Sequence, residues 1–142
     1  VATINFFIEE INFSLKDKKN LHDWLLGVVL SEKCQVSALS YIFCSDEYLL
    51  DINKQYLDHN YYTDVITFDN SDDDNEEIDG DIFISIDRVK DNALENKNEF
   101  SCELHRVMVH GLLHLLGYRD KSEEEILEMR EKEEAYLSLQ KF

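Results

Sequence analysis

The chain has no proline and only four glycines in 142 residues. Its turns must therefore be made by Gly, Asn, Asp and Ser. Cysteine is scarce as well. Cys34, Cys44 and Cys102 are odd in number and far apart, which argues against a disulfide framework or a thiolate zinc knuckle and points to a reducing cytoplasm. No apolar run is long enough to span a bilayer, so no membrane partner is expected. The first residues lack a basic segment followed by an apolar run and a small-residue cleavage site, so no signal peptide is expected either. Positive charge is in short supply: 14 Lys and Arg face 31 Asp and Glu, a formal net charge of −17. Broad, nonspecific nucleic-acid binding relies on Lys and Arg to displace counterions, and DNA is not an expected partner. A local basic patch, or a metal ion as the local positive charge, stays open.

The richest stretch is His110-Gly111-Leu112-Leu113-His114-Leu115-Leu116-Gly117-Tyr118-Arg119-Asp120. Histidines at i and i+4 share one face of a helix. Their neighbours Val107, Met108, Val109, Leu112, Leu113, Leu115 and Leu116 are apolar, as in a buried helix. Two imidazoles there need partners, since an unpaired buried polar group costs about 1–3 kcal/mol. A divalent cation would satisfy both. Gly117 supplies a helix stop, and Asp120 follows three residues later, where a reversing chain could return its carboxylate to the two rings. A lone core histidine is more often hydrogen-bonded than metal-bound. The pair with a glycine stop and a delayed third ligand is the more specific pattern, and it nominates His110, His114 and Asp120 as metal ligands.

The rest of the chain reads as one α+β domain over residues 1–142, a mixed sheet of about four strands with packed helices. Strands are expected at Thr3–Ile8, Ser37–Phe43, Asp64–Phe68 and Asp81–Ile86. Helices are expected at Lys16–Ser31, Glu47–Tyr56, Asp87–Asn98 and Glu99–Leu116, and a last one runs to Leu139 from a Ser122/Glu125 capping box. Asp69–Gly80 reads as a solvated acidic loop with Ile78 as its one apolar residue. It lacks the glycine and closing glutamate of an EF-hand.

The histidine motif resembles the signature of the YbeY endoribonuclease family of metal-dependent hydrolases. Ile52-Asn53-Lys54-Gln55-Tyr56, Thr63-Asp64-Val65-Ile66-Thr67-Phe68 and Gly80-Asp81-Ile82 resemble further family motifs in order and spacing. The resemblance covers most of the chain from about Asp46 onward. It implies a single-strand endoribonuclease acting on ribosomal RNA precursors, at the 3′ end of the small-subunit RNA, and in ribosome quality control, with ribosomal proteins as candidate partners. Three positions depart from the pattern. Asp120 stands where the family has a third histidine, Leu57 where it has an arginine linked to RNA, and Tyr62 where it has a proline.

Two imidazoles and a carboxylate suit zinc and leave a position open for water. Such an ion acidifies water and polarises a phosphoryl oxygen. Gly111 occupies the place of the general-base glutamate in zinc peptidases, so a peptidase reading loses its base. No residue is assigned as the base here. Asp64 and Arg106 are candidates to touch the site; Arg106 is more simply a surface ion pair with Glu103 or Asp120, and His22, His59 and His105 read as surface histidines. Two other classes compete. The same ligand set serves non-haem iron oxygenases, though the many short strands of their fold are absent. A ribosome-associated binding module with a structural metal is the non-enzymatic alternative, beside other metal-dependent hydrolases.

Overall fold

A computed structural model describes residues 3–71 and 76–142. The elements run β1 (Thr3–Glu9), α1 (Lys18–Ser31), β2 (Gln35–Cys44), α2 (Asp46–Leu57), β3 (Val65–Asp69), β4 (Glu77–Ser85), α3 (Ile86–Glu95), α4 (Phe100–Leu115) and α5 (Glu123–Leu137). The four strands form one mixed sheet in the order β1-β2-β4-β3. Neighbours β1, β2 and β4 run parallel, and β3 is antiparallel to β4. The expected α+β class and strand number hold, in an open sheet.

Alternation along the strands divides the core. Leu39, Tyr41 and Phe43 of β2, with Ile78, Ile82 and Ile84 of β4, join one cluster with α1, α4 and α5. On the other side Phe68 and Phe83 meet Leu49 and Ile52 of α2 in a smaller cluster. Ser45 caps α2 by accepting from the Tyr48 N–H at 3.1 Å. The Ser122/Glu125 capping box is formed.

Helix α4 lies close against the β3–β4 hairpin because two glycines face each other's elements. A Cβ on Gly111 would stand 2.8 Å from Ile82 Cγ2, and one on Gly80 would stand 2.7 Å from the Phe68 carbonyl oxygen and 2.9 Å from Leu115 Cδ1. Buried Tyr41 adds a polar tie, donating from its hydroxyl to the Met108 carbonyl at 2.8 Å. Fully buried Asn53 donates to the Tyr61 carbonyl at 2.9 Å and so fixes the segment leading to Asp64.

Two expectations need correction. The acidic stretch is not a loop through Gly80. Asp69 ends β3 and pairs with Gly80, while Glu77–Gly80 already belongs to β4. Ile78 is buried in the main core, and β2 provides the parallel neighbour that extends the strand. Residues 72–75 of the expected loop lie outside the described residues. The polar helix ends at Glu95, not Asn98. Lys97 takes a left-handed φ of 55°, and the Asn98 N–H returns to the Ala93 carbonyl at 2.9 Å. That is a glycine-type helix stop made with a lysine, invisible to a search for glycine.

Candidate metal centre

The centre is built by α4 and the turn after it. Gly117 has φ 107°, its N–H reaches the His114 carbonyl at 3.0 Å, and the Tyr118 N–H reaches the Leu113 carbonyl at 3.0 Å. This paired closure reverses the chain and turns the Tyr118 carbonyl back toward the helix, 3.0 Å from His114 Nδ1. The turn is anchored from outside, because the Tyr118 hydroxyl donates to Glu32 at 2.6 Å. Asp120 then arrives over the two imidazoles.

His110 Nε2 and His114 Nε2 stand 3.1 Å apart, and Asp120 Oδ2 is 3.3 Å from each. Tetrahedral ligands about 2.0–2.1 Å from zinc are separated by about 3.3–3.4 Å, so the triangle has the dimensions of one face of such a site. These three residues could hold a metal ion.

The protonation pattern agrees. His110 Nδ1 lies 2.6 Å from Glu133 Oε2, and His114 Nδ1 faces a carbonyl. Both partners accept only, so both Nδ1 atoms carry hydrogen. With both rings neutral, the two Nε2 lone pairs and a carboxylate oxygen then face one point with no donor among them. Only a cation, a proton or a metal, relieves that arrangement. The hydrogen-bonded Nδ1 with a free Nε2 is the usual support for a metal-bound histidine.

Glu133 is the residue that the motif analysis missed. It is 5% exposed and bridges His110 to Arg106, which donates from Nη1 to Glu133 Oε1 at 2.9 Å and also pairs with Glu134. Arg106 is therefore an ion pair as expected, but with α5 and not with Glu103 or Asp120. A signal for Glu133 was present. Met129, Glu133 and Tyr136 are the buried positions of α5, spaced i, i+4, i+7, so a carboxylate sits in the middle of the core-facing stripe.

Burial works against a charged His110, but the hydrogen bond and charge of Glu133, helped by Asp120 and Asp64, outweigh it and hold His110 above its ordinary value. Burial likewise opposes the charged Glu133, and His110 and Arg106 outweigh it, leaving Glu133 lowered. The pH dependence of the metal-free protein follows. The raised imidazole stabilises fully below its unfolded value near 6.5 and loses that contribution as pH rises through its folded value. The lowered carboxylate contributes above its unfolded value near 4.5 and loses it as pH falls through the folded one. Thermal melts in chelator should show this pair's contribution greatest between about pH 4.5 and 6.5. Metal binding, which needs a free Nε2, should instead strengthen above the raised value. Glu133→Gln should flatten the acid-side stabilisation and cost roughly 10–100-fold in metal affinity. Melts and calorimetric titrations on both proteins check this.

Asp64 shares a cavity of about 630 Å³ with His110 and Asp120. Burial pushes its carboxyl up, against the pull of His110. His105 is not on the surface. It is partly buried near Trp24 and Phe142 and held by Gln140, and burial lowers its imidazole. His22 and His59 lie away from the centre, beside Asp23 and Tyr61.

A family model described as Endoribonuclease YbeY matches residues 3–141 of the chain. The chain is 54% identical over 140 residues to a protein named Endoribonuclease YbeY from Cytophaga hutchinsonii, covering 99% of this chain and 97% of that one. It is 50% identical over 133 residues to the protein of that name from Flavobacterium psychrophilum, covering 94% of each. Among solved structures it is similar to the solution structure of TM1509 from Thermotoga maritima, with a TM-score of 0.67 and 31% identity, covering 96% of this chain and 87% of that one.

Proposed function

Because the chain belongs to the endoribonuclease YbeY family, we propose that it is a metal-dependent endoribonuclease, one hydrolase domain over 1–142, cleaving single-stranded RNA. Its substrate is ribosomal RNA precursor, matured at the 3′ end of the small-subunit RNA, and its setting is the cytoplasm with ribosomal proteins nearby. No helix among the described residues is long and apolar enough to cross a membrane. One observation supports this reading above the others: His110 Nε2, His114 Nε2 and Asp120 Oδ2 stand within 3.3 Å of one another, as the ligand atoms of a site that could hold a metal ion.

In this reading His110, His114 and Asp120 are the ligands and zinc is the ion, which fits two imidazoles and a carboxylate. When bound, it supplies an acidified water and a polarised phosphoryl oxygen. Glu133 and the Tyr118 carbonyl each take an Nδ1 hydrogen, keep both Nε2 atoms free and hold the ring planes. Arg106 locks Glu133 in place. Asp64, half-enclosed in the same cavity, takes the proton from the attacking water at its carboxylate. Gly111 has no part in proton transfer, because its side-chain position faces Ile82.

The test uses single-stranded RNA with wild type and His114→Ala, each with zinc, with manganese and with chelator. Cleavage by wild type, lost in chelator, restored by metal and absent from the folded variant, supports the reading. A metal that raises the melting temperature of wild type without any cleavage would point to a structural ion and a binding module.

A further inference from the structure

The cavity that holds His110 and Asp64 does not end at the metal triad. It runs back along α4 to Glu103, over buried Val107 of α4 and Met129 of α5, with Ile126 of α5 exposed at its rim. Glu103, Val107, His110 and His114 are spaced i, i+4, i+7, i+11, one face of a helix. Seven residues of rise put Glu103 about 10 Å from His110 along the axis, comparable to the reach of one nucleotide from its phosphorus to its pairing edge.

Glu103 is 6% exposed, an unusual place for a carboxylate. Its one hydrogen bond is a long one, to Oε2 from the Asn98 amide at 3.4 Å. Oε1 is not a buried orphan, since among the described residues only Arg88 Nε is buried without a partner; it opens onto the cavity. Nothing in the chemistry above uses this group. At the cavity rim Arg130 is exposed and makes no hydrogen bond or ion pair among the described residues.

We propose that the Glu103 end of this cavity is a nucleobase recess that selects guanine in the RNA strand next to the cleaved phosphate. This rests on the ribonuclease reading. A carboxylate offers two adjacent acceptors. Guanine presents two adjacent donors on its pairing edge, N1–H and the 2-amino group. Adenine and cytosine place a ring acceptor beside their amino donor, and uracil flanks its single N–H with carbonyls. Ile126, 45% exposed at the cavity rim, supplies the open apolar face on which a base plane can pack, above a floor of buried Val107 and Met129. Asn98 fixes the carboxylate from the rim. Arg130 stands free at the rim to meet a backbone phosphate.

Two measurements test the recess, one of them independent of cleavage. Calorimetric titration of the intact protein with guanosine, inosine and adenosine 5′-monophosphates should give guanosine tighter than adenosine by roughly 10–100-fold, with inosine, which lacks the 2-amino group, between them. Glu103→Gln should bring all three together. Asn98→Ala, on an exposed turn, should narrow the preference with the melting temperature kept, and it carries the test if Glu103→Gln fails to fold. Cleavage of single-stranded oligonucleotides with one guanosine among adenosines should then occur beside the guanosine in wild type and at scattered positions in the variant. Equal affinity for the three nucleotides overturns the recess. Cleavage without base preference overturns the recess and leaves the nuclease standing. Selective guanosine binding without any cleavage overturns the nuclease and leaves the recess.

Discussion

Asp120→Ala should release the metal, and Asp120→His should bind zinc more tightly than wild type. Asp120 Oδ2 completes a triangle with the two Nε2 atoms, and its side chain is 38% exposed at the mouth of the site. Removing it leaves two imidazoles, so the loss should exceed the roughly 10–100-fold typical of a supporting residue, and cleavage should fall to background. Imidazole in its place adds one unit of charge to the centre. A more positive centre acidifies its water more and attracts phosphate more strongly. Aspartate is the harder ligand and moves preference toward manganese or magnesium. The histidine variant should therefore gain zinc affinity, lose relative manganese affinity and reach half-maximal activity at lower pH. Zinc titrations and pH–rate profiles of the three proteins measure it. Unchanged zinc affinity in both variants would falsify Asp120 as a ligand.

Gly111→Ala should destabilise, while Gly27→Ala should do the opposite. Alanine is better than glycine inside a helix by roughly 0.5–1 kcal/mol. At Gly27 in α1 nothing lies within 4 Å of the added methyl, so that gain should appear in full. At Gly111 the methyl would stand 2.8 Å from Ile82 Cγ2, and Ile82 is fully buried. Overpacking costs about 1–3 kcal/mol, enough to reverse the sign and lower Tm by several degrees. The displacement falls on the turn of α4 between His110 and His114, so metal affinity should fall with stability. Gly111→Glu, which would write the peptidase motif, should not fold, because it drives an unpaired charge into the sheet. Melting curves with and without zinc decide the matter. A stabilised Gly111→Ala would show that α4 can lift off the hairpin freely.

The centre was legible because its parts are close in sequence. His110, His114, Gly117 and Asp120 span eleven residues of a single helix and its stop, and local geometry alone brings them together. Glu133 and Arg106 were harder to pair. Their contact joins two helices, and nothing local says which of the many acids of α5 turns inward, except the stripe it shares with Met129 and Tyr136. The strands and helices were found by periodicity, and most errors fell at ends. The acidic residues before Gly80 suggested solvent, but pairing with β2 and burial of Ile78 outweighed composition. Lys97 hid a helix stop because its left-handed turn was made without glycine.

The strand order β1-β2-β4-β3 also sets a timetable for synthesis. By residue 44 the pair β1–β2 can form, but the other edge of β2 waits for β4, which ends at Ser85. The intervening 41 residues take about 2–8 s at 5–20 residues per second. Through that interval the edge carrying Tyr41, Ile42 and Phe43 has no strand beside it, and α4, which covers one face, has not yet been made. Nascent chains paused there would expose an unpaired apolar strand, so this is the window in which a chaperone bound to the emerging chain, or slower translation between residues 44 and 85, would change the yield most.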